Sequence, residues 1–310
     1  MSERKPRDSH PAAALTAQEV RELLLRVDSG LPPESQRTYA RREAQRVRRT
    51  LLRIPPAEEG WRLLDVGCWG PWVAAYAEVL GYRDIAACTA QPGTGLPREL
   101  RGLEGVEGLR FRADFLDVEV EPFPYADAAF DVVVSCSLLE HLVRDPMHMM
   151  SEIHRVLRPG GFLILTTPNA ASVHALWKLL WGRSPCFSTL YHPTGVHRHN
   201  HEFTPGEVLR LVENSGFEVD SLETFGPLPP GVARLATALL ALPAAMARRC
   251  PLRWRGRTIV VRARRAGPVQ ERWPAWLYLD PTFNPGLHRA RGEIGRRFVE
   301  EWAGGGRAGP

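Results

Sequence analysis

The stretch LLDVGCWGPWVAAYAEVLGY, residues 63–82, decides how this chain is read. Leu63 to Val66 make a short apolar run of strand type that carries a carboxylate, Asp65, and is followed at once by Gly67. Val73 to Leu80 then read as a helix that Gly81 ends. A strand that turns through glycine into a helix is the opening unit of a ligand-binding α/β sheet. Trp69, Pro71 and Trp72 stand where such a loop normally carries small residues. If the loop needs a positive φ at Trp69, that side chain is strained, and Gly70 takes over the turn one residue later.

Outward from this unit the pattern repeats. DIAAC (84–88), LRFRA (109–113), FDVVVSC (130–136) and FLILTT (162–167) are compact apolar runs of strand length. A helix over 146–157, capped by Asp145 and stopped by RPGG, separates the last two. TPGE at 204–207 is a capping box with proline at the first helical position. FEVDSLETF and TIVVRARR supply two late strands. The fold class is therefore α/β: a Rossmann-like, doubly wound, mostly parallel sheet with helices on both faces. Residues 1–14 read as a disordered N-terminus and 15–56 as a helical segment covering the core. The main domain spans 57–266, and 267–310 form a C-terminal extension. In such sheets ligands sit beyond the carboxyl ends of the strands, which singles out Asp65–Trp72, Thr89–Gly95, Asp114–Phe115, Cys136–His141 and Thr167–Asn169.

Charge narrows the partners. The net charge is +5, yet it lies at the ends: residues 1–50 carry 11 basic and 7 acidic side chains, 251–310 carry 12 and 5, and the middle 200 carry 17 and 23. An acidic body with basic ends is the wrong distribution for a nucleic-acid reader. Five cysteines without framework spacing suit reduced thiols in the cytoplasm. The longest uncharged apolar run, Leu235 to Ala247, contains Pro243 and is too short to span a bilayer, which takes roughly 20 residues. GVARLATALLALPAAMARRC (231–250) reads as a packing helix, with weak membrane-surface contact as its alternative. ERWPAWLYLDPTFNPG reads as a segment that docks on the body or on a second subunit of a homo-oligomer.

FDVVVSCSLLEHLVRDPMHMMSEIHRVLRPGGFLILTTPN (130–169), continued by HNHEFTPGEVLRLVENSGFEV (199–219), resembles the class I S-adenosylmethionine-dependent methyltransferases. The likeness is to the small-molecule type that includes the ubiquinone-biosynthesis O-methyltransferases. It runs from about residue 60 to 225 and is specific for fold and cofactor, not for acceptor. It implies S-adenosyl-L-methionine as cofactor. The first loop would hold it through Asp65, Gly67, Cys68 and Gly70, with Thr89 after the second strand, Asp114 and Phe115 after the third, and Ser137 after the fourth. Asp65 would organise the ammonium, and Asp114 would accept from the adenine amino group. The family's usual D-x-G-x-G-x-G loop is broken here by Trp69. Its ribose-gripping acid at the end of the second strand is replaced by Thr89 or Gln91. Exchanging a charge-assisted bond for a neutral one weakens binding by roughly ten-fold.

Methyl transfer to a hydroxyl also needs a proton removed, and imidazole is the usual base near neutral pH. His141, in LLEHL, follows the fourth strand. YHPTGVHRHNHEF supplies His192, His197, His199 and His201, of which the last three would share one face of an extended segment. His141, His197 and His199 are the catalytic candidates. The alternating histidines could be imagined around a metal, but the reading adopted is a solvated loop with substrate contacts and no metal. The expected activity is methyl transfer to a hydroxyl of a small-molecule, glycosyl or lipid-linked acceptor. Its alternative is a non-catalytic binding or scaffold protein of the same fold.

Overall fold

The computed structural model describes residues 10–28, 32–90, 103, 106–185, 199–226 and 254–278. Two N-terminal helices, α1 (Ala17–Arg26) and α2 (Pro33–Leu51), precede β1 (Arg62–Val66). Then come α3 (Trp72–Ala74), β2 (Asp84–Thr89), β3 (Arg110–Phe115), β4 (Phe130–Cys136), α4 (Pro146–Val156) and β5 (Leu157–Pro168). The chain continues through α5 (Val173–Leu180), α6 (Pro205–Asn214), β6 (Phe217–Phe225), β7 (Thr258–Arg265) and α7 (Ala275–Tyr278). The seven strands form one sheet in the order β3-β2-β1-β4-β5-β7-β6. Neighbours from β3 to β5 are parallel, and β7 runs antiparallel between β5 and β6.

The apolar runs are continuous because the sheet is covered on both faces. Successive residues feed opposite cores. Leu64, Val133, Leu163 and Leu165 join Met147, Met150 and Ile153 of α4 and Val208 and Leu211 of α6 on one face. Leu63, Val132, Val134 and Ile164 join Val20, Leu24, Val47 and Leu51 of α1 and α2 on the other. The N-terminal helices are thus half of the sandwich.

Three details differ from the sequence reading. Residues 10–14, expected within a disordered N-terminus, form a 3₁₀ turn at Pro11–Ala13 that is tied down by a hydrogen bond of 2.9 Å between His10 Nε2 and the Ile54 carbonyl. The RPGG segment stops α4 as expected, yet it lies within β5 as an irregularity: Leu157 pairs with Phe130 and Phe162 with Val132. A Cβ on Gly161 would meet the Arg158 and Asp131 carbonyl oxygens at 2.9 Å, so the segment needs glycine. The helix after the glycine loop is one α-turn followed by a π-turn over Ala75–Val79. The packing helix expected at 231–250 lies outside the described residues.

The start of the C-terminal extension docks on the body. Asp145 caps α4 through the His148 amide at 3.0 Å and is buried. Arg272 and the Tyr278 hydroxyl both donate to its carboxylate, with Arg272 Nη1 at 2.9 Å. Tyr278 also accepts from the Met147 amide at 3.1 Å. Arg272→Met would leave a buried carboxylate without its cation and should lower unfolding free energy by about 1–3 kcal/mol in urea titration, part of Arg272 being solvated. No change in the denaturation midpoint would make this clasp incidental.

Candidate active site

The carboxyl ends of β1 and β4 lie side by side at the centre of the sheet, where Asp65 pairs in register with Ala87 on one side and Val134 on the other. Asp65 is buried, and its Oδ2 accepts from the Tyr76 hydroxyl at 2.8 Å. Its Oδ1 is also buried and meets no hydroxyl or amide among the described residues. Burial pushes the Asp65 carboxyl up to about 6, with the Tyr76 hydrogen bond pulling the other way. Tyr76 belongs to the π-turn over Ala75–Val79, a feature that recurs at functional sites.

The loop turns at Gly67, where φ is +80° and a Cβ would strike the Leu138 side chain at 2.8 Å. The Gly67 and Cys68 amides both donate to the Cys88 carbonyl, at 2.8 and 3.2 Å. The tryptophans are therefore not strained. Among the described residues, positive φ at non-glycine positions occurs at Ala128 and Ser137, and not at Trp69. Nor does Gly70 take over the turn. Trp69 stacks on Tyr39 of α2 with ring centroids 4.0 Å apart, and Trp72 donates to the Tyr39 hydroxyl at 3.4 Å. Arg46, 5.6 Å over the Trp72 ring, donates to the same hydroxyl at 2.8 Å. These bulky residues bind the loop to the N-terminal helices.

The neighbouring strand ends hold the other candidates. Thr89 pairs with Phe115 across β2 and β3, and its carbonyl accepts from the Leu116 amide at 3.0 Å. Gln91 lies outside the described residues. Asp114 accepts from the Tyr125 hydroxyl at 2.8 Å and from Arg112, whose Nε stands at 2.7 Å. Ser137, at φ 55°, donates its amide to the Thr166 carbonyl at 2.8 Å. A non-glycine residue in this conformation is the kind of strain that clusters at ligand clamps.

Beyond Ser137 the chain makes a 3₁₀ turn over Leu139–His141. Asn200 holds this turn: its amide donates to the Glu140 carbonyl at 2.7 Å and its side chain to the His141 carbonyl at 2.8 Å. Glu119 secures the following residues by accepting from the amides of Val143, Arg144 and Asp145 at 2.6–2.9 Å. The rings of His141 and His199 meet edge to face at 4.9 Å. His199 Nδ1 lies 2.7 Å from Glu202 Oε1. Glu140 is 1% exposed and accepts from Thr167 Oγ1 at 3.0 Å; burial pushes its carboxyl up to about 7. Two of the three catalytic candidates are thus brought together, while His197, like His192, lies outside the described residues. His201 does not share the face of His199: it stands 3.6 Å from Glu207 of the α6 capping box and packs on Phe203.

Residues 39–222 match a family model described as a methyltransferase domain, which is more than half of the chain. The chain belongs to the class I S-adenosylmethionine-dependent methyltransferases. A ubiquinone biosynthesis O-methyltransferase of Cereibacter sphaeroides is 30% identical over 177 residues, covering 54% of this chain and 64% of that protein. A probable S-adenosylmethionine-dependent methyltransferase of Mycolicibacterium smegmatis is 33% identical over 167 residues, covering 54% of this chain and 56% of that one. The match therefore spans less than two thirds of either relative. The crystal structure of an S-adenosylmethionine-dependent methyltransferase from Mesorhizobium loti aligns with a TM-score of 0.45 at 20% identity, over 72% of this chain and 97% of that one.

The methyltransferase site fits the family's cofactor where it can be tested. At the end of β1 the Asp65 carboxylate has the Tyr76 hydroxyl and the neighbouring Cys68 thiol beside it, while no hydroxyl or amide among the described residues meets its buried Oδ1, which can accept from the cofactor's ammonium. Sequence reasoning missed Tyr76 and Glu202; it placed Glu140 and Thr167 in the strand-end stretches but gave neither a role. Glu140 was visible as the neighbour of His141 in LLEH, but its burial was not. Because the Asp65 carboxyl sits above its unfolded value, folding favours its protonated form, so stability falls as pH rises from about 4 to about 6. In ligand-free protein Asp65→Asn should therefore gain on the parent chain by roughly 1–2 kcal/mol between pH 5 and pH 8. Urea titrations at the two pH values would show a constant difference if this carboxylate did not carry the burial cost.

Proposed function

We propose that this chain transfers a methyl group from S-adenosyl-L-methionine to a hydroxyl of a small-molecule, glycosyl or lipid-linked acceptor. The observation that carries the reading is the contact between the two halves of the site. Gly67 of the Asp65 loop packs on Leu138, and Leu138 leads into the turn bearing Glu140 and His141, against which His199 is stacked. A ligand on the first loop would lie beside the imidazoles. The names of the ubiquinone-biosynthesis relatives support oxygen as the methylated atom. Among the described residues no helix is long and apolar enough to cross a membrane, and we place the reaction in the cytoplasm.

The cofactor, when bound, supplies an electrophilic methyl on a positively charged sulfur. In this proposal Asp65 Oδ1 takes its ammonium while Tyr76 keeps Oδ2 in place. Gly67, Cys68, Gly70, Thr89, Phe115 and Ser137 line its path by backbone and small side chains, and Asp114 meets its adenine. Alignment accounts for most of the rate. The proton of the acceptor hydroxyl leaves through the cluster of Glu140, His141 and His199, with His197 on the same segment as a further imidazole. Glu202 at Nδ1 sets the orientation of His199 and directs its other nitrogen to this work.

Calorimetric titration with S-adenosylhomocysteine should give a micromolar Kd, about −7 to −8 kcal/mol, weakened in Asp65→Ala. With a hydroxyl acceptor found by transfer of labelled methyl, His199→Ala or His141→Ala should cut turnover by roughly 10²–10⁴-fold at nearly unchanged cofactor affinity. Absence of heat and of thermal shift at millimolar ligand would favour a non-catalytic binding protein of this fold instead.

A further inference from the structure

Glu140, His141 and His199 each offer one ligand atom, and these atoms all lie within 4.8 Å of one another. We propose that these three side chains form a binding site for a divalent transition-metal ion of the zinc type. A tetrahedral ion with bonds of about 2.0–2.1 Å spaces its ligands roughly 3.3–3.5 Å apart. Small rotations of the two rings and the carboxylate close the group onto an ion. Two imidazoles and one carboxylate, with a coordination position left for substrate, are the donor set of catalytic rather than structural zinc sites.

Three features go beyond proximity. Glu140 is 1% exposed, and a carboxylate held that deeply with a threonine hydroxyl on one oxygen is stabilised by a cation beside it. His199 carries Glu202 on Nδ1 at 2.7 Å, and that carboxylate is itself largely buried, which is the outer partner that metal-bound imidazoles have. The backbone that presents the ligands is pinned from two directions, by Asn200 on Glu140 and His141 and by Glu119 on the residues that follow. The sequence reading adopted no metal because it considered the alternating histidines alone. The folded chain separates His201 from that group and adds Glu140 from another strand end.

The purpose of the ion rests on the methyltransferase reading. With the ion bound, these side chains act as its ligands in place of taking the proton themselves, and a hydroxyl coordinated to the ion loses its proton to solvent at a pH where an unbound hydroxyl keeps it. The binding itself is measured without cofactor or acceptor. Untagged full-length protein, stripped with chelator and titrated with Co²⁺ and then Zn²⁺, should take up about one equivalent. Visible absorption from bound Co²⁺ should appear and be displaced by Zn²⁺. Glu202→Gln should weaken the affinity by roughly 10–100-fold, and His199→Ala or His141→Ala by more, while His201→Ala leaves it unchanged. Circular dichroism and the thermal midpoint identify any variant that fails to fold, and the remaining ones still decide. Uptake well below one equivalent, or affinity untouched in His141→Ala and Glu202→Gln, overturns the site. Metal uptake without S-adenosylhomocysteine binding would keep the site and remove the methyltransferase reading; the reverse result would do the opposite.

Discussion

A carboxylate buried at the end of the central strand is the constraint around which the carboxyl edge of this sheet is arranged. Asp65 lies between β2 and β4 with little access to solvent, and burying such a group costs several kcal/mol unless its oxygens find partners. Tyr76 supplies one. Tyr76 reaches the carboxylate from a stretch of helix widened into a π-turn. That widened helix is held from behind by Trp72 on Tyr39 and Arg46 of α2. The N-terminal helices, which look like an appendage in the sequence, are therefore packed directly on the loop that follows Asp65.

The same edge explains why bulky residues can occupy a loop built for glycine. Gly67 has to be small, because Leu138, two residues beyond the end of β4, approaches its Cα directly. Trp69 and Trp72 turn towards α2, where size is useful. The two tryptophans thus fill an interface between helix and loop.

The sheet was legible because parallel strands covered on both faces leave an unmistakable apolar run; VVV of β4 and LIL of β5 read directly as strands. The α6 capping box was equally plain, since Thr204 and Glu207 act within four residues of one another. What escaped were features that depend on distant partners. Nothing local marks Glu140 as buried, since that follows from Thr167 at the end of β5 and from the chain near Asn200 folding over it. The π-turn was hidden because AYAEV has an ordinary helical pattern. Docking of residues 267–278 was foreseen only as one of two options, and its anchor on Asp145 links positions 127 residues apart.

The strand order carries a consequence for how the chain is made. Among the described residues β7 is the last strand in sequence, yet it lies between β5 and β6, and β6 pairs through β7. During synthesis β1 to β5 can assemble as they emerge, but β5 keeps an open edge until residues 258–265 have left the ribosome. β6, made some thirty residues earlier, must wait without a partner for the same event. An unpaired apolar edge is where newly made chains associate wrongly. Nascent-chain quality control would meet this protein at that late step, and a truncation before β7 would be read as a misfolded product rather than as a smaller enzyme.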